Sequence, residues 1–275
     1  MSTPRLSLII STYNRPDALA KVFAGVARQS RLPGEVIVSD DGSAAATREL
    51  VAAWGRAQSF PVRHVWHPDN GFHKTIILNK SVAEALGEYL VFLDGDCVPH
   101  QDFVADHTAL AERGCWVQGR RCFVEEPHVA AFELGRTPVW RWILRGRITG
   151  AAKALRLPFP VVRRDTAQRG IIGCNLAAWH DDVIAVNGFD EEYSGWGGED
   201  SDLGTRLYHL GRPRKFVYAH AIVFHLNHPM TPRSQAAQGF ARLDETIRSG
   251  KIRCARGLDQ QLGNHFVVGK NSTSN

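Results

Sequence analysis

The sequence has few cysteines and no long apolar run. Its five cysteines among 275 residues are scattered and form no C-x-x-C pair, so we expect neither a disulfide framework nor a structural zinc site. The longest stretch without Asp, Glu, Lys or Arg, 216–232, contains three histidines and is too short and polar for the ~20 apolar residues of a membrane span. The N-terminal MSTPR lacks the apolar core of a signal peptide. A cytoplasmic protein is therefore expected.

The composition is that of a soluble globular chain with a basic excess. Apolar residues make up 44% and charged residues 22%, with a net charge of +5 and a pI of about 9.1. The length suffices for a substantial core in one large or two small domains. A basic protein favours an anionic partner, which leaves nucleic acid, a nucleotide or an anionic lipid open.

Apolar runs alternate with helical patterns over the first ~120 residues, and this alternation predicts an α/β fold with a mostly parallel, doubly wound sheet. The predicted strands are 6–11, 35–40, 61–67 and 88–94, and the predicted helices are 16–29, 44–54, 75–86 and 99–113. Three strands end in polar segments: STYN (11–14), SDDGS (39–43) and DGDC (94–97). Because ligands bind at the carboxyl ends of such strands, we expect these segments at one crevice.

The first two segments suit a nucleotide. Tyr13 offers an aromatic face, Thr12 and Asn14 offer polar edges, and Asp41 can accept the imide hydrogen of a uracil. Taken alone, SDDGS is better explained as a strand-to-helix turn in which Ser43 caps the next helix.

The third segment predicts a divalent metal site. Residues two apart on an extended stretch project to the same side, so Asp94 and Asp96 can face one ion, and carboxylate oxygens suit Mg²⁺ or Mn²⁺. The alternative is a simple Asp-Gly turn. His225 could complete the metal shell, although a lone histidine on an apolar strand is more often packed, and His228 is expected to be a loop residue.

A second acidic cluster lies in GWGGEDSD (195–202). Glu199, Asp200 and Asp202 open a predicted helix, where acids are favoured by the helix dipole whatever the function. The functional interpretation is a carboxylate general base that takes a proton from an acceptor hydroxyl. A metal site and a separate base are what displacement of a nucleotide diphosphate by an alcohol requires.

Together, STYNRP, SDDGS, FLDGDCVP and GFDEEYSGWGGEDSDLGTRLYHLG resemble the family 2 glycosyltransferases with a GT-A fold. The last motif is similar to the galactosyltransferase-type segment of β-1,4-galactosyltransferases and bacterial chondroitin-type polymerases. The resemblance implies an inverting, Mn²⁺- or Mg²⁺-dependent transfer of a hexose or N-acetylhexosamine, usually from a UDP-sugar. The implied acceptor is a hydroxyl of a glycan or glycolipid, as in bacterial polysaccharide or lipopolysaccharide synthesis.

The resemblance also implies residue roles. Asp200 would be the base, Glu199 would hold sugar hydroxyls, and Trp196 would form a wall against a sugar face. Asp96 would bind the metal, with Asp94 on the ribose or a metal-bound water and His225 as a further ligand. The residues implied to contact the nucleotide or donor are Thr12, Tyr13, Asn14, Asp41, Lys74 and Asn79.

Residues 126–169 separate a predicted nucleotide-binding half, 1–125, from a predicted acceptor half, 170–275. Between Arg136 and Arg164 this segment is rich in arginine and has no acidic residue. One interpretation is a solvated helix pair packed by Trp140, Trp142, Ile143 and Leu144. The other is docking on an anionic membrane surface, since basic residues with tryptophan suit anionic headgroups. The polar end, KNSTSN, is expected to be disordered.

Two rival functions fit less well. A nucleic-acid-binding protein would need basic residues along the main crevice, whereas the predicted strand ends are acidic. A sugar-nucleotide nucleotidyltransferase would be expected to carry a glycine-rich, basic phosphate loop near the first strand, and STYNRP is not one.

Overall fold

The computed structural model describes residues 3–133, 135, 138–168, 170–228 and 236–262. Arg136 and the C-terminal segment predicted to be disordered lie outside the described residues.

The first half confirms the predicted alternation of strands and helices. Its elements are β1 (Leu6–Thr12), α1 (Pro16–Ala27), β2 (Glu35–Asp40), α2 (Ala45–Arg56), β3 (Val62–Trp66), α3 (Lys74–Glu84) and β4 (Tyr89–Asp94). The four strands pair in parallel in the order β3-β2-β1-β4. This order places the three polar strand ends next to one another.

The second half completes this sheet and builds a smaller one. Its elements are β5 (Cys97–Pro99), α4 (Phe103–Leu110), β6 (Trp116–Gln118), β7 (Arg120–Val124), α5 (Val139–Leu144), β8 (Ile148–Thr149), α6 (Ala151–Ala154), β9 (Val161–Asp165), β10 (Asn175–Trp179), α7 (His180–Ala185), α8 (Glu199–His209), β11 (Arg214–Tyr218), β12 (Ile222–Leu226) and α9 (Ala236–Ser249). Short 3₁₀ turns cover Glu126–His128 and Leu258–Gln260.

The large sheet has the order β3-β2-β1-β4-β10-β6-β11-β9, in which β10 runs antiparallel to both neighbours. The small sheet has the order β5-β12-β7-β8. In it, His225 of β12 pairs with Cys97 of β5 on one side and with Phe123 of β7 on the other. This pairing places His225 beside Cys97, the residue that directly follows Asp96 in the chain.

The central strands β1, β2, β4 and β10 of the large sheet are buried on both faces, as the apolar strand runs predict, whereas β9 at its edge is exposed. Leu8 and Ile10 of β1 pack in one core with α1, whereas Ile9 packs in a second core with α3 and α8. Side chains two apart on a strand share a face, so one strand serves both layers. The crevice at the strand ends therefore lies above strands that are packed on both sides.

One predicted helix is shorter than expected. The sequence pattern predicts a helix over 99–113, but Pro99 ends strand β5 and the helix α4 covers only Phe103–Leu110. β5 is an edge strand of the small sheet, a position that tolerates the missing N–H of a proline.

The basic segment is not a helix pair packed by four apolar residues. It contains the short helices α5 and α6 together with the strands β8 and β9. Trp142 is buried and Ile143 packs against the core, but Trp140 and Leu144 are exposed. The helical interpretation is thus wrong for half of its proposed contacts, because α5 is only six residues long and turns one side to solvent.

All five cysteines are free and buried. Among the described residues, no helix has the length and apolarity to cross a bilayer.

Candidate active site

The carboxyl ends of β1, β2 and β4 open into a cavity of about 530 Å³. Polar residues from all three strand ends and from α3 line it: Ser11, Thr12, Tyr13, Asn14, Ser39, Asp41, Lys74, Asp94 and Asp96, with Arg15, Gly71, Phe72, Ile77, Gly95 and His228. The parallel sheet therefore brings together the segments that the sequence places in one crevice.

At the end of β1, Tyr13 is 48% exposed and its hydroxyl donates to Asp69 at 2.9 Å. Asn14 has a φ of +47°, in the left-handed region that asparagine tolerates better than most residues. Its N–H donates to the Ser43 hydroxyl at 2.8 Å, and its side-chain oxygen accepts from the N–H of Ala44 at 2.9 Å. Asn14 thus joins β1 to the start of α2.

These bonds correct the predicted role of Ser43. Helix α2 starts after Ala44, and the Ser43 side chain accepts from Asn14 instead of capping the helix.

Asp41 lies on the cavity wall with both carboxylate oxygens bonded. Oδ1 lies 2.7 Å from Nε2 of His67, and Oδ2 accepts from the N–H of His73 at 3.0 Å. Burial raises the pKa of Asp41, and these two partners oppose the shift. Each carboxylate oxygen can accept more than one hydrogen bond, so the group remains able to accept from a ligand.

Asp96 lies close to two histidines. Its Oδ2 is 3.0 Å from Nε2 of His228 and 3.5 Å from Nε2 of His225. One ligand atom from each of the three residues lies within 4.8 Å of the others. Burial lowers the pKa of His225, which favours the neutral imidazole that a metal requires. One carboxylate and two imidazoles in this arrangement fit a divalent transition metal.

His228 is more than the loop residue that the sequence suggested. It follows β12 outside any regular element, yet its ring lies with that of His225, the centroids 5.5 Å apart. The spacing H-x-x-H was the available signal, and the following proline obscured it.

Asp94 and Asp96 do not extend from one strand as predicted. β4 ends at Asp94, and Gly95 and Asp96 form a turn in which the Gly95 N–H donates to the Ser11 carbonyl at 2.7 Å. Asp94 therefore faces Ser11 and Lys74, at 2.8 and 3.0 Å from its Oδ1. Both carboxylates line the cavity, but of the two only Asp96 belongs to the group of candidate metal ligands among the described residues.

The second acidic cluster begins α8. Gly197 and Gly198 have φ values of +123° and +94°, which glycine adopts without strain, and the turn directs Glu199 and Asp200 inward. Glu199 accepts from the N–H of Gly197 at 3.0 Å, and burial raises its pKa to about 7. Burial also raises the pKa of Asp200.

Gly173 holds Asp200. Its N–H donates to Asp200 Oδ2 at 2.8 Å, and a Cβ at this position would lie 2.1 Å from the other carboxylate oxygen. That second oxygen, Oδ1, is buried without a hydrogen-bond partner among the described residues. Asp200 is thus oriented by one donor and keeps one oxygen for another.

Lys74 connects the two acidic groups. Its ammonium donates to Asp94, and the nearby charges of Asp94, Asp200 and Glu199 raise its pKa against the opposing effect of burial. The lysine therefore remains charged. Its ammonium interacts both with the turn at 94–96, the DGD turn, and with the start of α8.

Two residues that the family resemblance places at the donor or at a sugar, Asn79 and Trp196, do not line the cavity. Asn79 is fully buried, and its amide bonds to the Phe189 backbone and to Glu191. It does not line the cavity, so its expected donor contact is replaced by a bond that ties α3 to the loop before α8. Trp196 lies on that same loop with 41% exposure, outside the residues that line the cavity.

Two sequence models match the chain. Glycosyl transferase family 2 matches residues 7–161, and the N-terminal domain of galactosyltransferase matches residues 154–229. The two matches meet in the basic segment and together span both acidic clusters.

Related proteins are also glycosyltransferases or polysaccharide synthases. Validoxylamine A glucosyltransferase of Streptomyces hygroscopicus subsp. limoneus is 30% identical over 76% of this chain and 49% of its own length. Chondroitin synthase of Escherichia coli is 26% identical over 75% of this chain and 32% of its own. Mouse β-1,4-galactosyltransferase 1 is 26% identical over 66% and 37%. The chain thus spans half the length of these relatives or less.

Solved structures share the fold at low identity. GalNAc-T7 with UDP, GalNAc and Mn²⁺ superimposes with a TM-score of 0.65 at 16% identity, over 89% of this chain and 48% of its own. The mannosyltransferase PcManGT of Pyrobaculum calidifontis, with GDP-mannose and Mn²⁺, gives 0.58 at 19% identity, over 92% and 70%. The α/β architecture is the GT-A fold.

Proposed function

This chain belongs to glycosyl transferase family 2, and from that premise we propose that it transfers a hexose or N-acetylhexosamine from a UDP-sugar to a hydroxyl of a glycan or glycolipid. The observation that carries the proposal is the position of Lys74, whose ammonium binds Asp94 on the cavity wall and attracts the Asp200 and Glu199 carboxylates. A diphosphate-sugar in the cavity would therefore have its leaving group near Asp96 and its sugar near α8.

In this proposal Asp200 is the general base. Gly173 fixes one of its oxygens, and the other is buried without a partner among the described residues, so it is available to an acceptor hydroxyl. Removing the proton from that hydroxyl strengthens the nucleophile as it attacks the anomeric carbon. Attack from the side opposite the diphosphate would invert the configuration. Glu199, one residue earlier, would accept from sugar hydroxyls, and Trp196 would cover a sugar face.

Asp96, His225 and His228 would hold a divalent ion. When bound, the ion would neutralise the charge that develops on the leaving diphosphate. We propose Mn²⁺ in preference to Mg²⁺, because Mg²⁺ requires oxygen ligands in near-ideal octahedral geometry and two of these three ligands are imidazoles.

The nucleotide would lie along β1 and β2. Asp41, oriented by His67 and the backbone of His73, would accept the imide N–H of uracil, and Tyr13 would stack on the base. Thr12 and Asn14 line the same wall, with Asp94 near the ribose. An ionised carboxylate is only an acceptor, so this position favours uracil over cytosine.

A screen of nucleotide sugars tests the proposal. The purified chain would be mixed with UDP-, GDP- and dTDP-sugars with and without Mn²⁺, and melting temperature and nucleotide release would be measured. A Mn²⁺-dependent rise in melting temperature with at least one UDP-sugar, and slow UDP release, are expected. Release of pyrophosphate from UTP and a sugar 1-phosphate would instead identify a nucleotidyltransferase.

We further propose that the basic segment docks on an anionic membrane surface, which would present a lipid-linked acceptor to Asp200 at the inner face of the cell membrane. Exposed apolar side chains lie among the basic ones: Trp140, Leu144, Leu155, Leu157, Phe159 and Val161. Arg141, Arg145 and Arg147 have no carboxylate within 4.0 Å among the described residues. Each basic residue at an anionic surface contributes about 1 kcal/mol.

Liposome co-sedimentation tests the docking surface. We expect binding to vesicles with anionic lipid, little binding to neutral vesicles, and loss of the difference when Arg141, Arg145 and Arg147 are changed to Gln. The same change at three exposed arginines elsewhere should have a smaller effect: Arg31, Arg56 and Arg248. Equal sedimentation with both lipids, or equal effects of the two triple variants, would exclude the proposed surface.

A further inference from the structure

Arg121 is a half-buried cation near Asp200. The proposed reaction gives this arginine no role. It lies on β7, and its Cζ is 4.9 Å from the centroid of the Phe123 ring. That ring in turn lies edge-on to the ring of His225, with the centroids 5.4 Å apart. The guanidinium is therefore on the side of the small sheet that carries the candidate metal ligands.

The same guanidinium also lies beside the base. One N–H of Arg121 points to the Sγ of Cys174 at 3.6 Å. Cys174 directly follows Gly173, whose N–H binds Asp200. The chain that holds the catalytic carboxylate in place thus contacts Arg121.

The guanidinium lacks a close anionic partner among the described residues, although the charges of Asp94 and Asp200 act on it from farther away. Buried arginines elsewhere pair with carboxylates: Arg206 with Asp202 and Arg214 with Asp165, both at 2.8 Å. For Arg121, no carboxylate lies within 4.0 Å among the described residues, and its hydrogen-bond acceptor there is a thiol. A thiol is a weak acceptor, and a cation partly removed from water gains most from an anionic partner.

The position of Arg121 indicates the acceptor as the source of that anion. The cavity proposed for the nucleotide is lined by β1, β2, α3 and the DGD turn, and Arg121 is not part of its wall. The guanidinium adjoins the segment that orients Asp200, and the acceptor hydroxyl must lie at Asp200. We propose that Arg121 binds an oxyanion, a carboxylate or a phosphate, on the acceptor glycan. This inference rests on the proposed function.

The chemistry of the side chain suits this role. The planar guanidinium forms paired hydrogen bonds with carboxylate and phosphate oxygens. An acidic acceptor would be held at its anion by Arg121 and at its hydroxyl by Asp200, and the two contacts would fix its orientation. The enzyme is then selective for acidic acceptors, and a neutral glycan of the same size loses one of its two contacts.

The test measures binding of three small probes to the full chain with Mn²⁺ and UDP present. The probes are methyl β-glucuronide with a carboxylate, glucose 6-phosphate with a phosphate, and methyl β-glucoside with no charge. At least one charged probe should bind about tenfold or more tightly than the neutral one, since a hydrogen bond to a charged group contributes roughly 1.5–3 kcal/mol. The stronger of the two charged probes identifies the kind of oxyanion.

Arg121→Gln should bind all three probes equally, while its affinity for UDP with Mn²⁺ stays unchanged. Arg120→Gln is the matched control, because Arg120 is the preceding residue on β7 but contacts Phe216 and Tyr218 instead; it should keep the wild-type preference. Arg121→Lys retains the charge and should keep part of the preference. Comparison of the two variants separates the loss of the charge from a folding defect in the Gln variant.

Equal binding of charged and neutral probes by the wild type overturns the inference, as does an unchanged preference in Arg121→Gln. Loss of UDP affinity in Arg121→Gln also overturns it, because the guanidinium would then hold the donor diphosphate. Failure of the proposed function looks different: the wild type would bind no UDP with Mn²⁺ and release none from a UDP-sugar.

Discussion

The ammonium of Lys74 lies 3.0 Å from Oδ1 of Asp94, in a position where its charge also stabilises the ionised forms of Asp200 and Glu199. Lys74 opens α3, Asp94 ends β4, and the two acids open α8. One side chain thus links its own helix to the next strand, β4, and to α8, which lies much farther along the chain. The charged residues of the candidate site therefore influence one another, and removing one charge should alter the pKa values of the other groups.

Asp200→Asn should abolish turnover while leaving the binding of UDP with Mn²⁺ nearly unchanged. The amide has almost the same shape and can still accept from Gly173, but it cannot take the acceptor proton, and loss of a general base typically costs about 10²–10⁴-fold in rate. Steady-state kinetics and calorimetric titration with UDP check the two parts. A variant with near wild-type turnover would rule out Asp200 as the base.

His228→Ala should weaken Mn²⁺-dependent UDP binding as strongly as His225→Ala or Asp96→Ala. Each change removes one of the three proposed ligands, and loss of even an outer partner of a metal site costs roughly 10–100-fold in affinity. Calorimetric titration of Mn²⁺ in the presence of UDP measures the effect, and EDTA should abolish binding in the wild type. His209→Ala is the control, because His209 bonds to the Lys251 carbonyl at the far end of α8. Wild-type metal affinity in His228→Ala would limit the site to the other two ligands.

Lys74→Gln should move the acidic limb of the pH–rate profile to higher pH. As the proposed general base, Asp200 must be ionised for turnover, and the proposed contacts of Glu199 with sugar hydroxyls also favour its charged form. The rate should therefore rise with pH, passing through the Glu199 pKa of about 7. Lys74 lowers the pKa of both acids, so its loss leaves them protonated to higher pH.

The control for this shift is Lys80→Gln. Lys80 lies on the same helix, but its ammonium is 3.4 Å from His67. Its variant should keep the wild-type position of the acidic limb. An identical profile for Lys74→Gln would mean that the lysine charge does not reach the acids.

Glu199→Gln should stabilise the fold at pH 8 and have little effect at pH 4. Burial raises the pKa of Glu199 from its ordinary 4.5 to about 7, so the folded state holds the proton more tightly than the unfolded one. The stability that this provides is complete below pH 4.5 and is lost as the pH rises through about 7. A neutral amide avoids the loss, which is on the order of 1–3 kcal/mol in the free energy of unfolding.

Urea unfolding at the two pH values measures this difference. Glu245→Gln, on the exposed side of α9, serves as the control and should show a smaller pH-dependent change. A gain for Glu199→Gln that is equal at both pH values would contradict the raised pKa.

Gly173→Ala should reduce turnover sharply with the fold preserved. Its φ lies outside the left-handed region that strains other residues, so the effect is local: the new Cβ would lie 2.1 Å from Asp200 Oδ1 and must displace the carboxylate. Gly55→Ala on α2, where the nearest atom is a Val62 side-chain carbon at 3.3 Å, should retain activity. Full activity in Gly173→Ala would show that the position of Asp200 is not critical.

The order of strands and helices in the first half could be predicted because each element carries its own pattern. The run LSLIIS and the segment EVIVSD are apolar enough to be buried on both faces, and the polar residues after them mark where each strand ends. The parallel arrangement follows from the alternation with helices. The family motifs identified the GT-A fold and the family for the same reason, since they are short and contiguous.

Contacts between distant segments were harder to predict. His228 reads as a loop residue, and only the pairing of β12 with β5 brings it to Asp96. Asn79 has the polarity of a ligand contact, yet the packing of α3 turns it toward Phe189 and away from the cavity. In both cases the direction of the side chain depends on a neighbour more than 100 residues away.

The sequence by itself determined the secondary structure of the first half, the two acidic clusters and the family, because these depend on local patterns of apolar and polar residues. Only the tertiary structure decided which charged side chains meet: Lys74 with both acidic clusters, His228 with Asp96, and Arg121 with no carboxylate within 4.0 Å among the described residues. The physical reason is that a charge interacts through space over a few ångströms. The fold sets those distances, and spacing along the chain does not.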